Sequence, residues 1–301
     1  MIVAVSSFIF SPMKNILVPT DFSTEAHHAF AVALQLARHT NGSVTLLHVV
    51  EAPETNTANF STFGGPVNGG ELPNNNGGID EVFIIRLMEV TKGRLHALRN
   101  EAQALAPGVP VNEAVELGRI GDGILQAIER HGTDLVVIGA QGHGAMEHFF
   151  VGSNTERLIR LAPCPVLTVK HQQADFVVRT IVFPSDFSAE TAGALAGLRQ
   201  VQAVFPDDAL YLVHVVSGAD QADQQQIQAF AEQNHLTNYH IAVVEAARTS
   251  TGIEQYAQQV QADLVVIPTH ARSGLSRFLQ TSIAETVATH AFPPVLTYHL
   301  A

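Results

Sequence analysis

The chain has one cysteine, Cys164, and no tryptophan among its 301 residues. A single thiol excludes an intrachain disulfide and agrees with a reducing compartment. Cations are scarce as well: 16 Lys and Arg stand against 28 Asp and Glu, a formal net charge of −12. That balance argues against a nucleic-acid partner, because phosphate backbones are held by clustered Lys and Arg. No apolar run reaches the ~18 residues of a membrane span, and the apolar start MIVAVSSFIF lacks the basic region of a signal peptide. HExxH, clustered Cys/His and GxxxxGK[ST] are all missing, which excludes a zinc-hydrolase motif and a P-loop. The expectation is a cytoplasmic globular protein. Met13-Lys14-Asn15 reads as a natural start, with residues 1–12 as an upstream extension.

What the chain does have is a repeat. ILVPTDFSTE at 16–25 returns as IVFPSDFSAE at 181–190, and DLVVIGAQGHG at 134–144 returns as DLVVIPTHARS at 263–273. At 301 residues there is room for two domains with a core each; the spacing sets them at 13–170 and 177–301, joined by a linker over 171–176. Each copy alternates short β-branched runs with amphipathic stretches, the pattern of a parallel sheet wrapped by helices. Strands are expected at 15–19, 43–50, 109–117, 135–139 and 166–169, then at 180–184, 209–216, 240–246, 264–268 and 295–298. Between the first two strands the apolar residues recur at helical spacing behind Ser23, a natural N-cap.

The offset between copies is 166 at His48 and His214 but 129 at Gly139 and Pro268, so the second copy lacks 37 residues. They fall where the first copy carries an Asn/Gly-rich stretch over 52–78. It reads as a loop, either an inert insertion or a lid.

The chemistry concentrates after the fourth strand. Gly139-Ala-Gln-Gly142 is followed, after nine residues, by Gly152-Ser153-Asn154 at the start of a helix. Ligands of open parallel sheets bind beyond the carboxyl ends of strands where the strand order reverses. Glycines there admit a close approach of phosphate, and a helix N-terminus offers free N–H donors. In the second copy Gly139 has become Pro268, Gly142 has become Ala271 and Gly152 has become Thr281. A working site in the first copy and a retired one in the second follow from these losses.

The run Gly139-x-x-Gly142-x9-Gly152-Ser153 resembles the ATP-binding signature of the universal stress protein family. Pro19-Thr20-Asp21-Phe22-Ser23, Leu47-His48-Val49-Val50 and Cys164-Pro165-Val166-Leu167 resemble its strand ends, and the resemblance covers residues 14–300 as two tandem copies. It implies two Rossmann-like, adenine nucleotide alpha hydrolase-like domains, each a five-stranded parallel sheet flanked by helices. It implies further that Pro19, Thr20 and Asp21 meet the adenosine part of ATP, that Val49 contacts adenine through its backbone, and that Gly139 lies by the ribose. Gly142, Gly152, Ser153 and Asn154 would hold the phosphates, with Mg2+ or Mn2+ bridging them. His143, in the glycine loop, is a further candidate for facing the phosphates. Members dimerise, many by antiparallel pairing of their last strands; pairing 166–169 with 295–298 in one chain would imitate that dimer and leaves a homodimer open.

Structural readings compete with several of these. Ser153-Asn-Thr-Glu156 is also a capping box, repeated at Ser282-Ile-Ala-Glu285. Asp21 could simply organise its turn, since Asp186 survives in the second copy. His48 and His214 read as packed or hydrogen-bonded core residues, Cys164 as a buried small residue, and Gly118 as a turn glycine. No paired acid and base appear. The reading is an ATP-binding module, with a slow metal-dependent ATP hydrolase and a nucleotide-independent interaction protein as alternatives.

Overall fold

In the computed structural model the alternation becomes strands and helices in strict succession. The structure describes residues 13–51, 78–140, 151–188, 195–206, 208–218, 221–269 and 283–299. The expectations for residues 1–12, for the loop up to residue 77, and for Gly142, His143, Ala271, Thr281 and Ser282 lie outside these, as do the side chains of Gly152 and Ser153. The first half runs β1 (Asn15–Pro19), α1 (Thr24–Thr40), β2 (Ser43–Val50), α2 (Gly78–Leu105), β3 (Val111–Leu117), α3 (Ile120–Arg130), β4 (Leu135–Gly139), α4 (Val151–Leu161) and β5 (Val166–Val169). The second runs β6 (Thr180–Pro184), α5 (Leu195–Val204), β7 (Ala209–Val216), α6 (Gln221–Gln233), β8 (Tyr239–Glu245), α7 (Thr249–Gln259), β9 (Leu264–Thr269), α8 (Ile283–His290) and β10 (Val295–His299). Among the described residues no helix is long and apolar enough to cross a membrane.

The strands form one sheet in the order β3-β2-β1-β4-β5-β10-β9-β6-β7-β8. Within each half every pair is parallel; the join is antiparallel, with Leu167 opposite Leu296. Thr168 Oγ1 donates to Val295 O at 3.2 Å and Thr297 Oγ1 to Val166 O at 3.3 Å, so the two threonines bind across the join. The inner strands are apolar with little alternation because both faces are covered, whereas the edge strands β3 (VNEAVEL) and β8 (YHIAVVE) carry polar residues. Ile16 and Val18 face the α1 and α2 side, while Leu17 faces α3 and α4.

Local chemistry sets the boundaries. Ser23 caps α1, its Oγ accepting from Ala26 N at 3.2 Å. Asn41 ends the helix in the left-handed region, φ 52°, which an Asn tolerates. The third strand begins at Val111, not at 109, because Val109 N still bonds back to Ala106 O after α2 and Pro110 carries no N–H. The eighth lies one residue earlier than its spacing predicts, at Tyr239–Glu245, and the ninth and tenth extend one residue further, to Thr269 and His299.

The aspartate of each DLVV repeat has a structural task. Asp134 Oδ2 accepts from Lys14 N at 3.1 Å and Asn15 N at 3.0 Å, holding the start of β1. Asp263 Oδ2 does the same for Arg179 N and Thr180 N, both at 2.9 Å, at the start of β6. Asp134→Ala removes two charge-assisted bonds and is expected to lower stability by about 1.5–3 kcal/mol in urea unfolding. Asp263→Ala should behave alike, and an effect below about 0.5 kcal/mol for both would contradict the clamp.

On the α3 and α4 side the first half has an apolar cluster of its own, but on the opposite face the two halves share one. One apolar cluster on the α1, α2, α5 and α6 side runs through both halves, and Phe176 and Val178 belong to it. The stretch expected as a linker is therefore docked. Gln35 Nε2 donates to Gln173 O at 3.2 Å, Phe176 N donates back to Gln35 Oε1, and the Phe176 ring meets Phe205 edge-on at 5.9 Å.

Candidate functional site

In the first half the strand order reverses between β1 and β4, and a crevice opens there at their carboxyl ends. It is an open crevice of about 630 Å³, bulk solvent at its mouth included. Pro19, Thr20, Asp21, Val49, Gly139 and Asn154 all line it. The structure thus brings these six residues together at one opening. Gly152 and Ser153 precede Asn154 in the first turn of α4.

Two sides of the crevice differ in character. Leu47, Val49, Ile120, Ile124 and Ile138 make an apolar slab, suited to a flat aromatic ring. Asp21 and Ser23 make the polar rim. Ile120, Ile124 and Ile138 were not foreseen as site residues; the helical period of α3 marks Ile124 as buried but does not say against what. Gly123 belongs to this wall too, since a Cβ there would fall 2.9 Å from Val49 Cγ1.

The turn after β1 is fixed by its own side chains. Phe22 N donates to Thr20 Oγ1 at 3.0 Å and Ser23 N to Asp21 Oδ1 at 2.9 Å. Phe22 adopts φ 66°, so these bonds hold a backbone conformation that a large side chain avoids. The second half repeats the turn: Phe187 N donates to Ser185 Oγ at 2.8 Å and Ser188 N to Asp186 Oδ1 at 3.1 Å. Turn-making therefore accounts for what Asp21 and Asp186 share. It occupies Oδ1 of Asp21, while the residue still borders the crevice.

Gly139 serves the scaffold as well as the opening. A Cβ on it would lie 2.5 Å from Glu25 C and O and 2.8 Å from Ala26 N, in the first turn of α1. Gly118 sits at φ 139° with its N–H on Val50 O at 3.0 Å, a turn residue as expected. Cys164 is half-buried beside Asp134, and burial pushes its thiol up to about 12, which leaves it unreactive. Among the described residues no group of three or more His, Cys, Asp or Glu could hold a metal ion.

The universal stress protein family model matches residues 12–65, 75–170 and 178–299. A universal stress protein of Thermus aquaticus is 34% identical over 158 residues, which is 52% of this chain and 98% of that protein. A universal stress protein structure from Archaeoglobus fulgidus matches 96% of this chain and 97% of its own at TM-score 0.69 and 16% identity. A Pseudomonas aeruginosa protein of unknown function matches 96% of this chain and 93% of its own at TM-score 0.61 and 18% identity. At such identities the structural likeness speaks for the fold alone, but the family model covers both halves and most of the length. The chain belongs to the universal stress protein family, in a tandem arrangement.

Proposed function

We propose that the first half binds ATP in this crevice and that the second half supports it. The observation that carries the reading is the convergence of Pro19, Thr20, Asp21, Val49, Gly139 and Asn154 on one opening at the strand-order reversal, beside the start of α4. The apolar slab takes the adenine ring and the polar rim takes the ribose. The backbone N–H groups at the start of α4, with Gly142 and His143 ahead of it, take the phosphates. Mg2+ or Mn2+ would accompany the bound phosphates.

The two domains are those of 13–170 and 177–301, with the second as a built-in partner. In support, β5 and β10 cover each other's edges, where separate chains would have to meet. The setting for this activity is the cytoplasm.

Small molecules released from the denatured full-length protein should include an adenine nucleotide, and calorimetry should show ATP binding. Gly152→Glu is expected to abolish it, whereas Thr281→Glu leaves it within about twofold. No nucleotide in either assay would end the proposal, and equal loss from both variants would reassign the second half as a binding site. Phosphate release well above that of Gly142→Glu would make the protein a slow hydrolase.

A further inference from the structure

We propose that His48 is the positioning residue that holds the Thr20–Asp21 peptide in place for the nucleoside, and that the second half has lost this lock. The inference rests on the first crevice being a nucleotide site. His48 Nδ1 lies 2.7 Å from Thr20 O. A carbonyl can only accept, so Nδ1 is the donor whether the ring is neutral or protonated. The bond takes hold where the sheet ends: Thr20 N makes the last ladder bond, to Leu47 O at 2.8 Å, and Thr20 O faces the neighbouring strand's imidazole.

The imidazole is itself held. Its ring lies 4.9 Å from the Phe22 ring, and Arg94 of α2 places its guanidinium 4.0 Å over the same Phe22. Cation, aromatic ring and imidazole thus back the turn from the α2 side, while Asp21 and Thr20 face the opening. Arg94 reaches the turn from α2 through Phe22, and β3 presents Val115 opposite His48.

The second half is an internal control. Ser185 N bonds Val213 O at 3.0 Å, and the turn bonds are reproduced, so the backbone is nearly the same. His214 stands at the matching place in β7. Its Nδ1 is buried with no hydrogen-bond partner among the described residues, and the nearest acid oxygen is Asp223 Oδ1 of α6 at 3.9 Å. The turn is held instead by Gln226, whose Nε2 donates to Asp186 O at 3.0 Å. The helix that contributes a cation in the first half contributes an acid and an amide in the second.

The test uses the full chain, with adenosine and inorganic tripolyphosphate as separate probes in calorimetry. His48→Leu should weaken adenosine about tenfold, the size of one lost hydrogen bond, and leave tripolyphosphate unchanged. His48→Asn, whose amide N–H can replace the Nδ1 donor, should restore adenosine to within about twofold; His214→Leu should change neither. Should His48→Leu not fold, His48→Gln replaces it, its amide set nearer the Nε2 position. Unchanged adenosine binding in the variant, an equal loss of tripolyphosphate, or no rescue by Asn would each overturn the lock. Absence of any binding by the wild type would instead remove the nucleotide site itself.

Discussion

Gly139→Ala is expected to destabilise the protein by about 2–3 kcal/mol and to abolish nucleotide binding together. The added Cβ would sit 2.5 Å from Glu25 C and 2.8 Å from Ala26 N, both backbone atoms of the first turn of α1. Backbone cannot swing aside as a long side chain can, so the turn must shift, and forced overpacking of this kind costs about 1–3 kcal/mol. Ala26 N is also the donor to Ser23 Oγ. Displacing it strains the helix cap, worth about another 1 kcal/mol. Ser23, Ala26 and Asp21 line the crevice, so the same shift spoils the site. Urea unfolding and ATP titration of one variant separate the two roles of this glycine. Lost binding with unchanged stability would mean that Gly139 serves only the ligand; unchanged behaviour in both would contradict the seating of α1 against β4.

That double role shows where sequence reasoning stopped. A glycine at a strand's carboxyl end announces a close approach, but not by what. The strands were legible because runs such as LVVI carry a fully buried strand in four letters. The N-cap at Ser23 was legible because its partner lies three residues away. The shared core was not: Phe176 and Val178 look like a short connection until Gln35, some 140 residues earlier, is seen to bind it. His48 was legible only as a packed or hydrogen-bonded residue without a named partner, for a related reason. LHVV and VHVV are near-identical strings, and the difference between the two histidines resides in Arg94, Asp223 and Gln226 on helices that the string does not place. Strand periodicity reports burial; it does not report which neighbour takes a hydrogen bond.

The join between the halves should be sensitive to alkaline pH through Lys170. This residue follows β5 in the first half, is 7% exposed, and donates its ammonium to Ala291 O just past the end of α8 in the second. A cation suits a helix C-terminus, yet burial pushes its pKa down from the ordinary 10.5 to about 8, with nearby Glu254 only partly opposing this. Burial raises Glu254 in turn, against the pull of His290 and Lys170. The sign follows from the depressed value. Below about pH 8 the folded protein carries the full penalty of a buried charge, and between pH 8 and 10.5 that penalty disappears. At about 1.4 kcal/mol per unit the whole effect is about 3 kcal/mol. Relative to Lys170→Met, which cannot titrate, the wild type should gain about that much unfolding free energy as pH rises from about 7 to 10.5. Paired urea titrations at the two pH values measure the difference, and the shared titration of other groups cancels. A gap that stays constant with pH would mean that Lys170 is solvated in solution and that the join is more open than its buried threonines and apolar strands require.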